Sequence, residues 1–292
     1  MPNISRKTWF KKMKALIIGS RGTLGSALSE AFSDLMPVLW DRDDIDITNK
    51  EDVLKKISDI TPDVVMNAVA YTDVDGAEDN EEIARKVNGY AVGYIAEVAE
   101  EIGAIFVQYG TDYVFDGTQK EGYGEKDKPN PISVYGSSKL LGEKEAAKKC
   151  RRCYIVRLSR LFGQSEKNNN SKQSFVDLMI ALAKNKTELN VVDEEISRPT
   201  YAKDAAEKTR EIIEKKMPYG IYHAANEGFC TWYGLAEEIF SIKKINVKLN
   251  KVPANYFSRK ARRPAFSVLL NTKFKPMRPW QEALREYLSN FQ

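Results

Sequence analysis

Near the N-terminus, four apolar residues, Ala15–Ile18, run straight into Gly19-Ser20-Arg21-Gly22-Thr23-Leu24-Gly25 and then into an amphipathic stretch over residues 24–32. A short buried strand, a GxxGxxG loop and a helix in that order form the opening of a dinucleotide-binding βαβ unit. Glycine lets the backbone turn tightly and approach a pyrophosphate, and the helix N-terminus offers N–H groups and a partial positive charge. The loop therefore predicts a parallel sheet with helical crossovers.

The rest of the first half fits that expectation. Residues 37–40, 63–69, 104–109 and 154–158 read as strands. Residues 50–57, 80–102 and 135–150 read as helices between them, with Pro62 and Gly103 at boundaries. Strands and helices alternating at ~30-residue intervals imply right-handed crossovers. The fold expected is α/β: a Rossmann-type doubly wound parallel sheet with a smaller C-terminal substrate-binding region. Residues 13–158 form the nucleotide half and 159–292 the substrate half. Segments near 189–224 are expected to return to the nucleotide half.

Beyond Leu158 the pattern loosens. Residues 165–173 are polar and read as a mobile loop. Helical stretches follow at 175–184, 202–215, 232–242 and 280–291, with short strands at 189–192, 220–223 and 247–250. Residues 1–12 are expected to be an extension outside the fold, although Trp9 and Phe10 are placed to pack on the body.

Composition excludes several classes. Hydrophobic residues at 42% are too many for a disordered chain, and no apolar run approaches the ~18 residues of a membrane span. Three cysteines build no disulfide framework; with no secretory leader in view, a cytoplasmic setting is expected. Cys150 and Cys153 make a lone CxxC and read as ordinary thiols. A single histidine, His223, excludes sites with two imidazoles, and it reads as a packed strand residue. The net charge of +4 conceals two basic stretches without acids, residues 1–14 and 243–263. The body between them is acidic, so nucleic acid is not an expected partner, while the second stretch suits a small anionic ligand.

Two further features carry chemistry. Asp41 falls at the end of the second strand, where an acid takes adenosine ribose hydroxyls, while Arg21 and Arg42 beside it suit a 2′-phosphate. NADPH and NADH both stay open. Tyr135-Gly136-Ser137-Ser138-Lys139 sets a phenol and an ammonium four residues apart on one helical face. A nearby cation favours the phenolate, so Lys139 is expected to hold the Tyr135 pKa down. Thr111 follows the fourth strand with a hydroxyl for a carbonyl oxygen. Glycine loop, threonine and YxxxK together give the extended short-chain dehydrogenase/reductase pattern.

The chain resembles the dTDP-4-dehydrorhamnose reductases over nearly its whole length. The resemblance rests on Asp44-Ile45-Asp46-Ile47-Thr48, on the segment from Pro62 to Thr72, on Thr111-Asp112-Tyr113-Val114-Phe115-Asp116-Gly117, and on Val134-Tyr135-Gly136 through Lys139. Further segments are Arg198-Pro199-Thr200, Gly220-Ile221-Tyr222-His223, Thr231-Trp232-Tyr233 and Ala261-Arg262-Arg263-Pro264. It implies reduction of the 4-keto group of a nucleotide-linked 6-deoxy sugar with NADPH or NADH, completing dTDP-L-rhamnose. Thr111, Tyr135 and Lys139 are then the catalytic set. Gly19, Gly22, Thr23, Leu24 and Gly25 meet the pyrophosphate. Asp41, Arg42, Asp46 and Ile47 meet the adenosine, and Ala70, Tyr71, Thr72 and Tyr109 the nicotinamide side, with Tyr135 and Lys139. Asp112, Tyr113 and Arg160 lie beside the sugar nucleotide; on charge, Arg262 and Arg263 of the basic stretch are expected to face its pyrophosphate. The resemblance also brings a monomer or homodimer and a magnesium site whose ligands it does not identify.

Three departures stand out. Gly110-Thr111-Asp112 replaces the usual Ser-Thr-Asp, Arg160 replaces a substrate-packing tryptophan, and Asp193-Glu194-Glu195 replaces Asp-Gln followed by Gly. Alternatives are another sugar-nucleotide reductase, an epimerase or dehydratase, and a non-catalytic subunit like the regulatory partner of methionine adenosyltransferase. Tyr113 stands where dehydratases place a glutamate after the aspartate, which argues against dehydration. The intact Thr111, Tyr135 and Lys139 argue against a regulatory subunit.

Overall fold

A computed structural model describes residues 9–165 and 173–290. Its centre is a six-stranded sheet of β1 (Ala15–Ile18), β2 (Val38–Trp40), β3 (Val64–Asn67), β4 (Ile105–Thr111), β5 (Cys153–Leu158) and β6 (Gly220–His223). The spatial order is β6-β5-β4-β3-β1-β2, and every pair is parallel. Strands β1, β3, β4 and β5 are buried along their whole length, as helices on both faces require. Strand order reverses between β1 and β3, so a crevice opens there at the carboxyl ends of the strands.

One face is covered by α1 (Thr23–Ala31) and α6 (Ala202–Glu214), the other by α2 (Lys50–Ile60), α3 (Ala91–Glu101) and α4 (Val134–Lys149). The helix expected over 80–102 is interrupted. Residues Glu81–Arg85 are α-helical, Lys86–Tyr90 widen into a π turn, and α3 follows. Such widenings occur frequently at functional sites.

The smaller region holds α5 (Phe175–Ala183), α7 (Trp232–Lys243) and α8 (Trp280–Ser289) around their own core. Strand Glu188–Val192 pairs there with Lys248–Val252. Its alternating exposure suits a ladder covered on one side. The return to the central sheet therefore begins only at α6, not near residue 189. Most of the expected mobile loop over 165–173, and residues 1–8, lie outside the described residues.

The expectation that residues 1–12 lie off the fold is corrected at its C-terminal end. Phe10 is 2% exposed, 6.1 Å from the Phe32 ring, and covered by the Arg210 guanidinium 4.7 Å from its centroid. Trp9 packs on the same cluster beneath Lys216. Among the described residues no helix is long and apolar enough to cross a membrane.

Candidate active site

The crevice is a single cleft of about 1110 Å³, running from the glycine loop to the smaller region. That exceeds the ~300–1,000 Å³ usual for one small ligand. At its nucleotide end, Gly19 turns with φ +83°, and a side chain on Gly25 would collide with the Gly19 carbonyl. Gly22 caps α1 without any side-chain acceptor, so the first-turn N–H groups stay available beside Gly22, Thr23 and Leu24, which line the cleft. This cradle fits a pyrophosphate. Asp41 is fixed by two backbone donors, Arg21 N–H at 3.1 Å and Arg42 N–H at 2.9 Å. The Arg21 guanidinium pairs with Asp43 at 2.7 Å, and Arg42 is exposed at the rim.

At the middle of the cleft, Thr111 ends β4 and its hydroxyl accepts the Tyr113 N–H at 3.2 Å. Ser133 caps α4 through the Gly136 N–H, which sets Tyr135 in the first turn. Burial pushes the Tyr135 phenol up to about 12; the Asp112 charge adds to this, and a hydrogen bond from Thr111 opposes it. The expected lowering by Lys139 is not seen. The Lys139 ammonium is buried and donates instead to the Tyr109 carbonyl at 2.7 Å. Burial lowers its own pKa to about 8, with the Glu143 charge opposing.

At the far end of the cleft, buried Asp112 accepts the Ser267 hydroxyl, and burial raises its carboxyl. Tyr113 meets Tyr135 edge-on at 5.7 Å. Arg160, in a left-handed conformation with φ +41°, donates to the carbonyls of Cys230 at 2.8 Å and Glu195 at 2.6 Å. Its guanidinium lies 3.9 Å from the Trp232 ring centroid. The Trp232 indole N–H and Arg259 occupy the two carboxylate oxygens of Glu195 at 2.9 and 2.6 Å. The departures at Arg160 and Glu195 are thus one packed unit.

The cleft gathers Gly19, Gly22, Thr23, Leu24, Asp41, Arg42, Ala70, Thr72, Tyr109, Thr111, Asp112, Tyr113, Tyr135, Lys139, Arg160 and Arg263. Five expected residues do not line it. Gly25 is packed under Gly19, Ile47 is in the core, and Asp46 is tied to Thr48. Tyr71 is held through its backbone by Asn88. Arg262 is exposed outside the cleft; Arg259 takes the lining position, while Arg263 is clamped by Asp75 at 2.6 Å. That ion pair holds the Asp75 carboxyl down at about 2.

Sequence reasoning missed Asn88. It sits fully buried in the π turn, exchanges two hydrogen bonds with the Tyr71 backbone and donates to Ser138 between Tyr135 and Lys139. A lone asparagine inside an apolar helical stripe was the available signal. Among the described residues, no group of three or more His, Cys, Asp and Glu side chains is placed to hold a metal, so magnesium finds no support there.

A helix N-terminal cradle at the switch point, with a threonine, tyrosine and lysine converging below it, defines an NAD(P)-dependent oxidoreductase of the extended short-chain type. The comparisons narrow this. The model of the RmlD substrate binding domain family matches residues 13–292, and the chain belongs to that family. The chain is 38% identical over 291 residues to a dTDP-4-dehydrorhamnose reductase from Aggregatibacter actinomycetemcomitans, covering 93% of this chain and 97% of that one. It is 34% identical over 281 residues to the spore coat polysaccharide biosynthesis protein SpsK of Bacillus subtilis (strain 168), covering 94% and 96%. The crystal structure of dTDP-4-dehydrorhamnose reductase from Bacillus anthracis str. Ames in complex with NADP superposes with a TM-score of 0.90 at 33% identity, covering 95% of this chain and 99% of that one.

Proposed function

We propose that this chain reduces the 4-keto group of a nucleotide-linked 6-deoxy sugar, dTDP-4-dehydrorhamnose, with NADPH or NADH, giving dTDP-L-rhamnose. It would act in the cytoplasm as a monomer or homodimer. The observation that carries the reading is the convergence of Thr111, Tyr135 and Lys139 where the nucleotide end of one continuous cleft meets its sugar end.

When bound, the reduced nicotinamide supplies the hydride for the carbonyl carbon. The residues of the chain manage the oxygen. Thr111 holds the carbonyl oxygen, and Tyr135 gives its phenolic proton as negative charge develops there. A phenol held near 12 is fully protonated at neutral pH, the correct form for a donor in the reducing direction. Lys139 would bind the nicotinamide ribose while anchored to the Tyr109 carbonyl. Asp41 would accept the adenosine ribose hydroxyls, and Arg42 at the rim would meet a 2′-phosphate. Arg160, planar and stacked on Trp232, replaces an apolar platform by a cationic one beside the sugar.

The test is NAD(P)H oxidation with a panel of nucleotide-4-keto-6-deoxy sugars. Turnover of dTDP-4-dehydrorhamnose to the L-rhamno product supports the reading. Cofactor binding without turnover on any member of the panel defeats it in favour of a regulatory subunit.

A further inference from the structure

Below the catalytic lysine lies an ion pair that the reaction does not touch. Glu143 stands one helical turn after Lys139 on α4, and Arg157 comes from β5. Both are almost fully buried, at 3% and 1% exposure. Arg157 Nε lies 3.0 and 3.2 Å from the two Glu143 oxygens, and its Nη2 lies 2.7 Å from Oε2. Replacing such a pair by apolar residues is often neutral or stabilising, so stability alone is a weak reason for its presence.

Its location supplies another reason. Gly110 and Arg157 are partners in the β4–β5 register. A side chain on Gly110 would collide with Glu143 Oε1 and lie 2.9 Å from Arg157 Cγ. The pair therefore presses against the one residue between Tyr109, whose carbonyl holds Lys139, and Thr111, whose hydroxyl serves the substrate. Behind it, Arg157 is backed by the Phe115 ring at 5.2 Å and by His223 Nε2 at 3.3 Å. The other His223 nitrogen faces the Leu270 carbonyl at 3.0 Å. We infer that Glu143 and Arg157 are positioning residues: the carboxylate is the counter-charge that keeps the buried Lys139 an ammonium, and the arginine holds that carboxylate against Gly110.

This rests on the catalytic role proposed for Lys139. The titratable groups around that lysine are Tyr135 and Glu143 on its own helix, Tyr109 and Asp112 from β4 and its exit, and Arg157 from β5. His223 of β6 and Glu125 lie behind Arg157. Tyr109 and Tyr135 are held neutral by burial, and His223 is lowered to about 4, so it is neutral at working pH. The Asp112 carboxyl is taken up by the Ser267 hydroxyl, and of the two acids it is Glu143 whose charge opposes the effect of burial on the ammonium.

The experiment is a pH titration of the full chain carrying lysine labelled at Cε and Nζ, followed by NMR. The Lys139 resonance is identified by its loss in Lys139→Met. Glu143→Gln should move the Lys139 titration down by about one pH unit or more, and Glu143→Asp should restore most of it. The alkaline limb of kcat/KM should move the same way. An unmoved Lys139 titration in folded Glu143→Gln overturns the inference. If that variant does not fold, the double variant Glu143→Gln/Arg157→Gln carries the same titration. Lys139 should again titrate below wild type, and a wild-type value overturns the inference. The NMR reading needs no sugar, so failure of the proposed substrate leaves this result separately legible.

Discussion

Replacing Lys139 by methionine is expected to disable the enzyme without weakening the fold. A lysine held at about 8 rather than 10.5 costs the folded state about 3 kcal/mol at neutral pH, because the buried ammonium is disfavoured relative to the unfolded chain. Methionine fills a similar volume and removes that cost. Against it stands the Tyr109 carbonyl, which loses its 2.7 Å donor, a loss of about 1–3 kcal/mol. The net effect at pH 7 is a gain of about 0–2 kcal/mol. The sign reverses with pH. The folded lysine titrates below the unfolded one, so between about 8 and 10.5 the unfolded state binds more protons and wild-type stability rises. Urea denaturation of both proteins at pH 7 and pH 10 should show wild type gaining about 2–3 kcal/mol on the variant. An unchanged difference between the two pH values would refute the buried-ammonium account. So would a variant several kcal/mol weaker at pH 7. Turnover and NADPH affinity should both fall in Lys139→Met.

Tyr135→Phe should cut kcat roughly 100-fold or more, while fluorescence titration shows NADPH affinity almost intact; a wild-type rate would assign the proton to another group. Phe10→Ala should cost about 3 kcal/mol, because a buried ring between Phe32 and Arg210 is lost, and calorimetry should register a fall of about 5 °C. A melting temperature unchanged by that substitution would return residues 9–12 to the status of an appendage. Arg160→Trp should change KM for the keto-sugar several-fold with little change in NADPH affinity, measured by initial rates and binding. Equal KM values for both proteins would remove Arg160 from the sugar subsite.

The nucleotide half was legible because its signals are local. A glycine loop between strand and helix, and a tyrosine and lysine one turn apart, keep their meaning wherever the chain goes next. Asp41 could be placed at the cleft for the same reason, since strand ends face the crevice. What escaped depends on long-range packing. Arg262 and Arg263 are adjacent in sequence, yet only Arg263 reaches the cleft, because Asp75 captures it from the other half of the chain. Asn88 serves Tyr71 and Ser138 from a π turn that helical periodicity does not reveal. Glu143 has no local signal of its place, because its partner Arg157 comes from β5. Phe10 was placed to pack on the body, but its partners, Phe32 and Arg210, are distant in the sequence and could not be named from it.

The last strand of the central sheet arrives late. Strand β6 completes the edge beside β5, and 61 residues separate the end of one from the start of the other. Loop closure over that length adds little to the equilibrium cost, since the entropy grows only with the logarithm of length. It does impose an order on synthesis. Until residue 223 has emerged, β5 offers an open row of N–H and C=O groups along Cys153-Tyr154-Ile155-Val156-Arg157-Leu158, an apolar strand with one charge. Much of α6, which covers the adjoining face, is missing for most of the same interval. A nascent chain or fragment ending near residue 158 therefore exposes a template for pairing with other chains. The single charge on that edge is Arg157, which in the finished protein is sealed against Glu143.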